Sequence, residues 1–318
     1  MSAHTTSAHS VVEPTPTARR VAAFLVIAYA LIALIPMVWI VMTGFKAPSD
    51  SIAYPPKVVF EPTLEGYVNL FTNRSRQTPE YMANLPPPET WYDALVRKRN
   101  MAITGPSRFA DRYFNSIVIG FGSTLLAIFL GTMAAYGFSR FRVPLKDDLL
   151  FFILSTRMMP PIAVAIPIFL MYRVFGLSDT HAGMILLYTA VNVSLAVWLL
   201  KGFIDEIPPE YEEAAMIDGY TRFQAFRKVV LPQAMTGIAA TAIFCLIFAW
   251  NEYAFALLLT SGEAQTAPPF IPIIIGEGGL DWPAVGAGTT LFLLPIVFFT
   301  IVLRRHLLRG ITFGAVRK

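Results

Sequence analysis

EAAMIDGYTRFQAFRKVVLP, residues 213–232, is a polar island between two long apolar segments. Pro208-Pro209 just before it can open a helix, because proline is tolerated in the first turn. Glu210, Glu212 and Glu213 then sit near the positive end of that helix. Ala214 and Ala215 favour helix and add almost no bulk, so another surface can approach closely. Gly219 allows a sharp turn, as a helix C-cap does. Thr221 can cap a second helix carrying Phe223, Phe226 and Val230 at i, i+3 and i+7, which Pro232 is expected to end. The expectation is a helix–turn–helix at a membrane surface with one acidic, small-residue face. An ordinary amphipathic interfacial helix would require neither the paired alanines nor the glycine four residues after them.

The rest of the chain supplies the membrane. Of 318 residues, 55% are hydrophobic and only 14% are charged, with a mean hydropathy of +0.56. A soluble domain carries about a quarter charged residues. Six apolar runs follow one another: Val21–Thr43, Tyr113–Phe138, Leu149–Phe175, Met184–Leu200, Met235–Thr260 and Ala284–Leu303. About 20 residues cross a hydrocarbon core. The fold class is therefore all-α: a polytopic membrane protein with six transmembrane helices. Ala28-Tyr29-Ala30 mimics a signal-peptide cleavage site, but the apolar run continues through Met42. A signal core is about 7–15 residues, so 21–43 reads as an uncleaved anchor. Residues 1–20 read as a disordered cytoplasmic tail.

Orientation follows from the basic flanks. Arg19 and Arg20 precede span one, and Arg140, Arg142 and Lys146 lie between spans two and three. Lys201, Arg222, Arg227 and Lys228 lie between four and five; Arg304, Arg305, Arg309, Arg317 and Lys318 follow six. Six spans put all of these on one side, which the positive-inside rule makes cytoplasmic, with both termini inside. Arg97, Lys98 and Arg99 are the exception, in the long outside loop 44–112, and long loops cross largely regardless of charge. That loop holds several proline clusters and a possible short helix Glu89–Arg99; it reads as a solvated connector or as a contact surface for an external partner.

A net charge of +4 does not indicate nucleic acid, because the basic residues flank spans. Cys245 is the only cysteine and His4, His9, His181 and His306 are scattered, so no metal site is expected. Polar groups inside spans are costly and become candidates for the translocation path. They are Arg157, beside the helix-breaking Pro160-Pro161, together with Asn192, Asn251, Glu252 and Tyr253. The plainer readings are a snorkelling or ion-paired Arg157, interhelical asparagine bonds, and a Glu252–Arg157 pair.

The island also resembles the EAA loop of ABC importer permeases, with the pattern E-A-A-x3-G-x9-I-x-L-P. Here it is carried by Glu213, Ala214, Ala215, Gly219, Val229, Leu231 and Pro232, with valine in place of isoleucine. Asn115-Ser116, Ala134-Ala135-Tyr136 through Arg140, Trp250-Asn251-Glu252 and the ending Gly310–Val316 resemble the carbohydrate-importing branch, in particular the smaller six-span permease of the maltose-type group. Residues 73–111 depart from the family pattern and look like an insertion.

The resemblance implies a permease core over 113–318 with a coupling loop at 205–234 and a cytoplasmic tail at 304–318. Glu213 would pair with a basic residue of a separate ATPase. Thr312, Gly314, Ala315 and Val316 would reach the ATPase dimer. Gly278, Gly279 and Trp282, in a glycine-rich outside loop, would touch a solute-binding protein, although a flexible connector and an interface anchor are the plainer readings. The partners implied are a second homologous permease, two ATPase copies, an extracytoplasmic binding protein and membrane lipid, all at a bacterial inner membrane. The chain has no G-x-x-x-x-G-K-[ST] sequence, so ATP and magnesium belong to the partner and this chain is not itself an enzyme. The substrate expected is a sugar, or else a polyol, glycerol phosphate or peptide. A stand-alone secondary transporter would be expected to show internal repeats and matched broken helices. A membrane enzyme would need a catalytic constellation that the sequence lacks.

Overall fold

The computed structural model describes residues 16–276 and 279–312, with side chains described through Val302. Helix α1 (Pro16–Gly44) takes in residues 16–20 of the stretch read as a tail. Outside the spans follow α2 (Glu65–Phe71), β1 (Thr72–Arg76), α3 (Trp91–Arg97) and β2 (Met101–Pro106). The second span is α4 (Phe109–Arg140). The third is a bent pair, α5 (Lys146–Ser155) and α6 (Pro161–Phe175), angled by 92°. Pro160-Pro161 causes that break: a proline lacks the N–H that would continue the helix. The fourth span is α7 (His181–Asp205), followed by α8 (Glu210–Ile217) in the loop. The fifth is α9 (Arg222–Trp250) and the sixth α11 (Trp282–Thr312), with the short α10 (Ala254–Leu259) between them. Among the described residues, five helices are long and apolar enough to span, and the spans number six when the bent pair is one.

Three of the expected boundaries change. The run Met235–Thr260 is not one helix: α9 ends at Trp250 and α10 restarts at Ala254. Glu252 accepts the Phe255 and Ala256 N–H groups at 2.8 and 3.1 Å, satisfying first-turn donors of the new helix. Pro232 does not end a helix; it sits in the first turn of a segment continuous with the one before. A π turn at Phe226–Val230 absorbs the missing hydrogen bond, and the Gln233 side chain bonds the Val229 carbonyl at 3.1 Å. At the other end, α11 runs on through Thr312, past the start of the expected tail.

Small residues set the helix crossings. A Cβ on Gly131 of α4 would lie 2.5 Å from that of Ala196 on α7, so only glycine allows this approach. A Cβ on Gly286 would lie 2.7 Å from the Gly44 nitrogen, which is how α1 meets α11. Most of α1 is exposed, an apolar surface suited to hydrocarbon. The buried core falls into clusters around Tyr188 and Phe255, around Tyr136 and Val230, and around Trp250 and Phe292.

The long outside loop is folded rather than a bare connector. β1 and β2 form an antiparallel ribbon pairing Thr72 with Pro106. Arg74 binds Asp281 at 2.9 Å and Asn69 binds the same carboxylate at 2.9 Å, tying the ribbon to the base of the β3 (Ile275–Gly276) and β4 (Gly279–Leu280) hairpin. Arg99 pairs with Glu65 at 2.8 Å. Lys46 is buried with Nζ 3.8 Å from the Trp39 ring centroid. Burial pushes its ammonium below the ordinary lysine value, with Asp50 working against the shift.

A second clamp joins the other outside loops. Asp179, at φ +52, accepts backbone N–H groups from Ser261, Gly262, Glu263 and Ala264. Asn115 donates to the Glu263 and Gln265 carbonyls at 2.6 and 2.9 Å and meets His181 at 2.7 Å. Ser116 accepts the Ala267 N–H at 2.9 Å. The Asn115-Ser116 pair therefore pins the connection between spans five and six.

Candidate functional site

The loop between spans four and five forms the helix–turn–helix anticipated for it. α8 ends in a Schellman motif: Tyr220 N–H bonds the Ala215 carbonyl at 3.0 Å and Gly219 N–H the Met216 carbonyl at 3.1 Å. Gly219 stands at φ +91, a conformation that costs any residue with a Cβ. Thr221 then caps the next helix in a capping box, its side chain accepting from Gln224 N while Gln224 accepts from Thr221 N.

The faces of this loop differ from the expectation in two places. Glu213 and Ala214 are exposed, but Ala215 is buried. The small-residue surface offered outward is therefore one alanine wide. Phe226 and Val230 are buried while Phe223 is exposed, so the buried stripe begins at Phe226. Val229 and Leu231 are half-buried and Pro232 is exposed.

Glu212, which the sequence reading left beside Glu213 without a separate role, is the anchor. It is buried and accepts the Tyr136 hydroxyl at 2.8 Å and the Arg140 Nε. Arg140 also donates to the Ile207 carbonyl at 2.7 Å and to Ser139 Oγ at 2.8 Å. The Tyr136 ring lies 4.5 Å from the Phe226 ring. The end of α4 thus grips both arms of the loop. The signal for this was a glutamate doublet: adjacent helical residues point about 100° apart, so one can face in and one out.

The intramembrane polar residues separate into two groups. Asn192 is buried and donates to the Cys245 carbonyl at 3.2 Å, an interhelical bond from α7 to α9. Glu252 accepts the Tyr188 hydroxyl at 2.7 Å besides its two backbone donors. It does not pair with Arg157. Arg157 lies in the 3-10 turn Thr156–Met158, its guanidinium 4.0 Å from the Phe248 ring centroid and its Nη1 buried without a partner. Phe248, Asn251 and Tyr253 are exposed. Outside the spans, Gly279 stands at φ +115 and Trp282 is exposed at the start of α11. Gly278, Gly314, Ala315 and Val316 lie outside the described residues, and Thr312 is the last residue of α11. Among the described residues no cluster of His, Cys, Asp or Glu could hold a metal ion.

Comparison with known proteins gives a consistent result. Residues 127–313 match the family described as binding-protein-dependent transport system inner membrane component. A probable ABC transporter permease protein of Sinorhizobium fredii, y4oR, is 33% identical over 91% of this chain and 92% of its own length. The trehalose transport system permease protein SugB of Mycobacterium tuberculosis is 40% identical over 66% of this chain and 77% of its own. The fold is shared with a chain of a bacterial ABC transporter involved in the import of the acidic polysaccharide alginate, at a TM-score of 0.65, 20% identity, and coverage of 92% of this chain and 98% of that one.

Proposed function

The chain belongs to the family of binding-protein-dependent transport system inner membrane components, and from that premise we propose that it forms one half of a sugar-conducting pore driven by a separate ATPase. Residues 205–234 are its coupling loop. The observation that carries this reading is the loop's two-sided construction: Glu212 is locked to α4 while Glu213, Ala214 and Ile217 stand exposed. An exposed isoleucine beside a carboxylate on a rigid short helix suits a protein cleft with a basic residue in it. ATP and magnesium are bound by the ATPase, and Thr312, Gly314, Ala315 and Val316 are its further contact residues. Two ATPase copies, a second homologous permease and a solute-binding protein complete the assembly. The membrane is the bacterial inner membrane, with both termini cytoplasmic.

The trehalose permease among its relatives favours a neutral sugar or polyol as the solute. Arg157, Asn251 and Tyr253 are the path residues: Arg157 Nη1 has no partner, the Tyr253 ring is exposed, and Asn251 is exposed with its amide nitrogen on the Ile247 carbonyl. Asn192 and Glu252 support the path by holding α7, α9 and α10 together. Gly278, Gly279 and Trp282 face the binding protein. The test is recovery of ATPase with this chain in detergent. Wild type brings the ATPase down and Glu213→Lys does not; equal recovery with both would remove Glu213 from the interface, and recovery with neither would remove the ATPase partner.

A further inference from the structure

The coupling loop meets the spans by two routes. One is covalent: the arm after Gly219 runs through the π turn into α9 without a break. The other belongs to α8, which is tied to the spans at its exit from α7 and by its buried side chains. Only Glu212 and Ala215 of α8 are buried. Ala215 contributes a methyl contact, which slides at little cost. Glu212 contributes directional, charge-assisted bonds to two residues of α4, with both side chains of the ion pair largely removed from solvent. Arg140 is in turn fixed by Ile207 and Ser139, and Ser139 donates to Asp205 at 2.5 Å at the end of α7.

We infer that Glu212 and Arg140 are positioning residues of the transport cycle: the rivet that makes α4 move with α8. The inference rests on the coupling reading of the loop and adds a division of labour to it. Glu213 receives the ATPase, and Glu212 passes the displacement to α4. Packed elements shift as bodies when their joints are rigid. α4 is close-packed on α7 through Gly131 and Ala196, so a displacement delivered at Arg140 reaches the centre of the bundle. Without the rivet, α8 would follow the ATPase while α4 lagged behind.

The experiment uses the full complex in nanodiscs, with ATP and vanadate as the probe. Spin labels at Asp218→Cys on the loop and Met133→Cys on α4, in a Cys245→Ala background, report one distance with and without trapped nucleotide. With the rivet intact the distance is unchanged by nucleotide. In Arg140→Gln the distance shifts on trapping, while the ATPase stays bound and hydrolysis persists. Tyr136→Phe, which removes one bond from Glu212, gives a smaller shift in the same direction. A distance that stays fixed in both Arg140→Gln and Tyr136→Phe overturns the inference, as does one that changes in the unmutated rivet. Loss of the ATPase from Arg140→Gln would also overturn it, since the pair would then only shape the docking surface. The coupling reading fails separately, when neither wild type nor Glu213→Lys recovers an ATPase.

Discussion

The carboxylate of Asp179 lies 2.8 Å from the backbone nitrogen of Gly262, in a nest of four successive N–H groups contributed by the connection after span five. One side chain therefore joins the turn between spans three and four to the turn between five and six. Backbone donors around a carboxylate form an anion nest, and here the anion is part of the protein.

Asp179→Ala leaves those donors without their shared acceptor. Part of the site is exposed to water, so the expected loss is about 1–3 kcal/mol. A thermal-shift measurement on the detergent-purified complex checks it. Asp179→Asn, which keeps one acceptor oxygen, is expected to lose less; equal losses would mean that packing, not hydrogen bonding, sets the cost.

Glu252 caps α10 and accepts from the buried Tyr188 hydroxyl. Glu252→Ala is expected to lower stability by about 1–3 kcal/mol, because a buried donor is left unsatisfied. Glu252→Gln keeps acceptor capacity and is expected to transport with an unchanged KM for solute. A KM raised tenfold by Glu252→Gln would place the carboxylate in the path after all.

Two glycines of α4 make opposite predictions. Gly131→Val drives atoms into Ala196 and is expected to cost about 1–3 kcal/mol or to block assembly of the bundle. Gly137→Ala meets nothing within 4 Å and is expected to be neutral or to gain up to about 1 kcal/mol through helix propensity. Thermal midpoints of the two variants, measured side by side, decide the matter.

Lys46 gives a pH dependence. Its folded pKa is below the ordinary lysine value, so the unfolded chain holds its proton to higher pH than the folded chain does. Stability from this group therefore rises with pH between the lowered folded value and the unfolded one. Lys46→Met removes the titration and the cost of burying an ammonium together. The stability difference between Lys46→Met and wild type is expected to shrink as pH is raised toward about 10, read from paired melting curves. A difference that grows with pH would reverse the sign of the shift.

The apolar runs announced the spans because twenty apolar residues have few other places to go in water or in lipid. The turn at Gly219 was equally legible, since a left-handed backbone position selects glycine locally. The double proline gave the broken third span for the same reason: the missing N–H is a property of the residue itself. Pro232 shows where such local reading ends. The same chemistry that stops a helix in isolation was absorbed by a π turn, because burial of Phe226 and Val230 against α4 favours a continuous helix. The partners of Glu212, Asp179, Glu252 and Arg74 were not legible at all. Arg140 lies 72 residues from Glu212 and Asp281 lies 207 from Arg74, and only packing of the spans brings them together. The sequence by itself determined which segments cross the membrane and where the chain must turn, since these depend on near neighbours. The tertiary structure alone decided which of two adjacent glutamates faces inward, because that depends on what another helix presents.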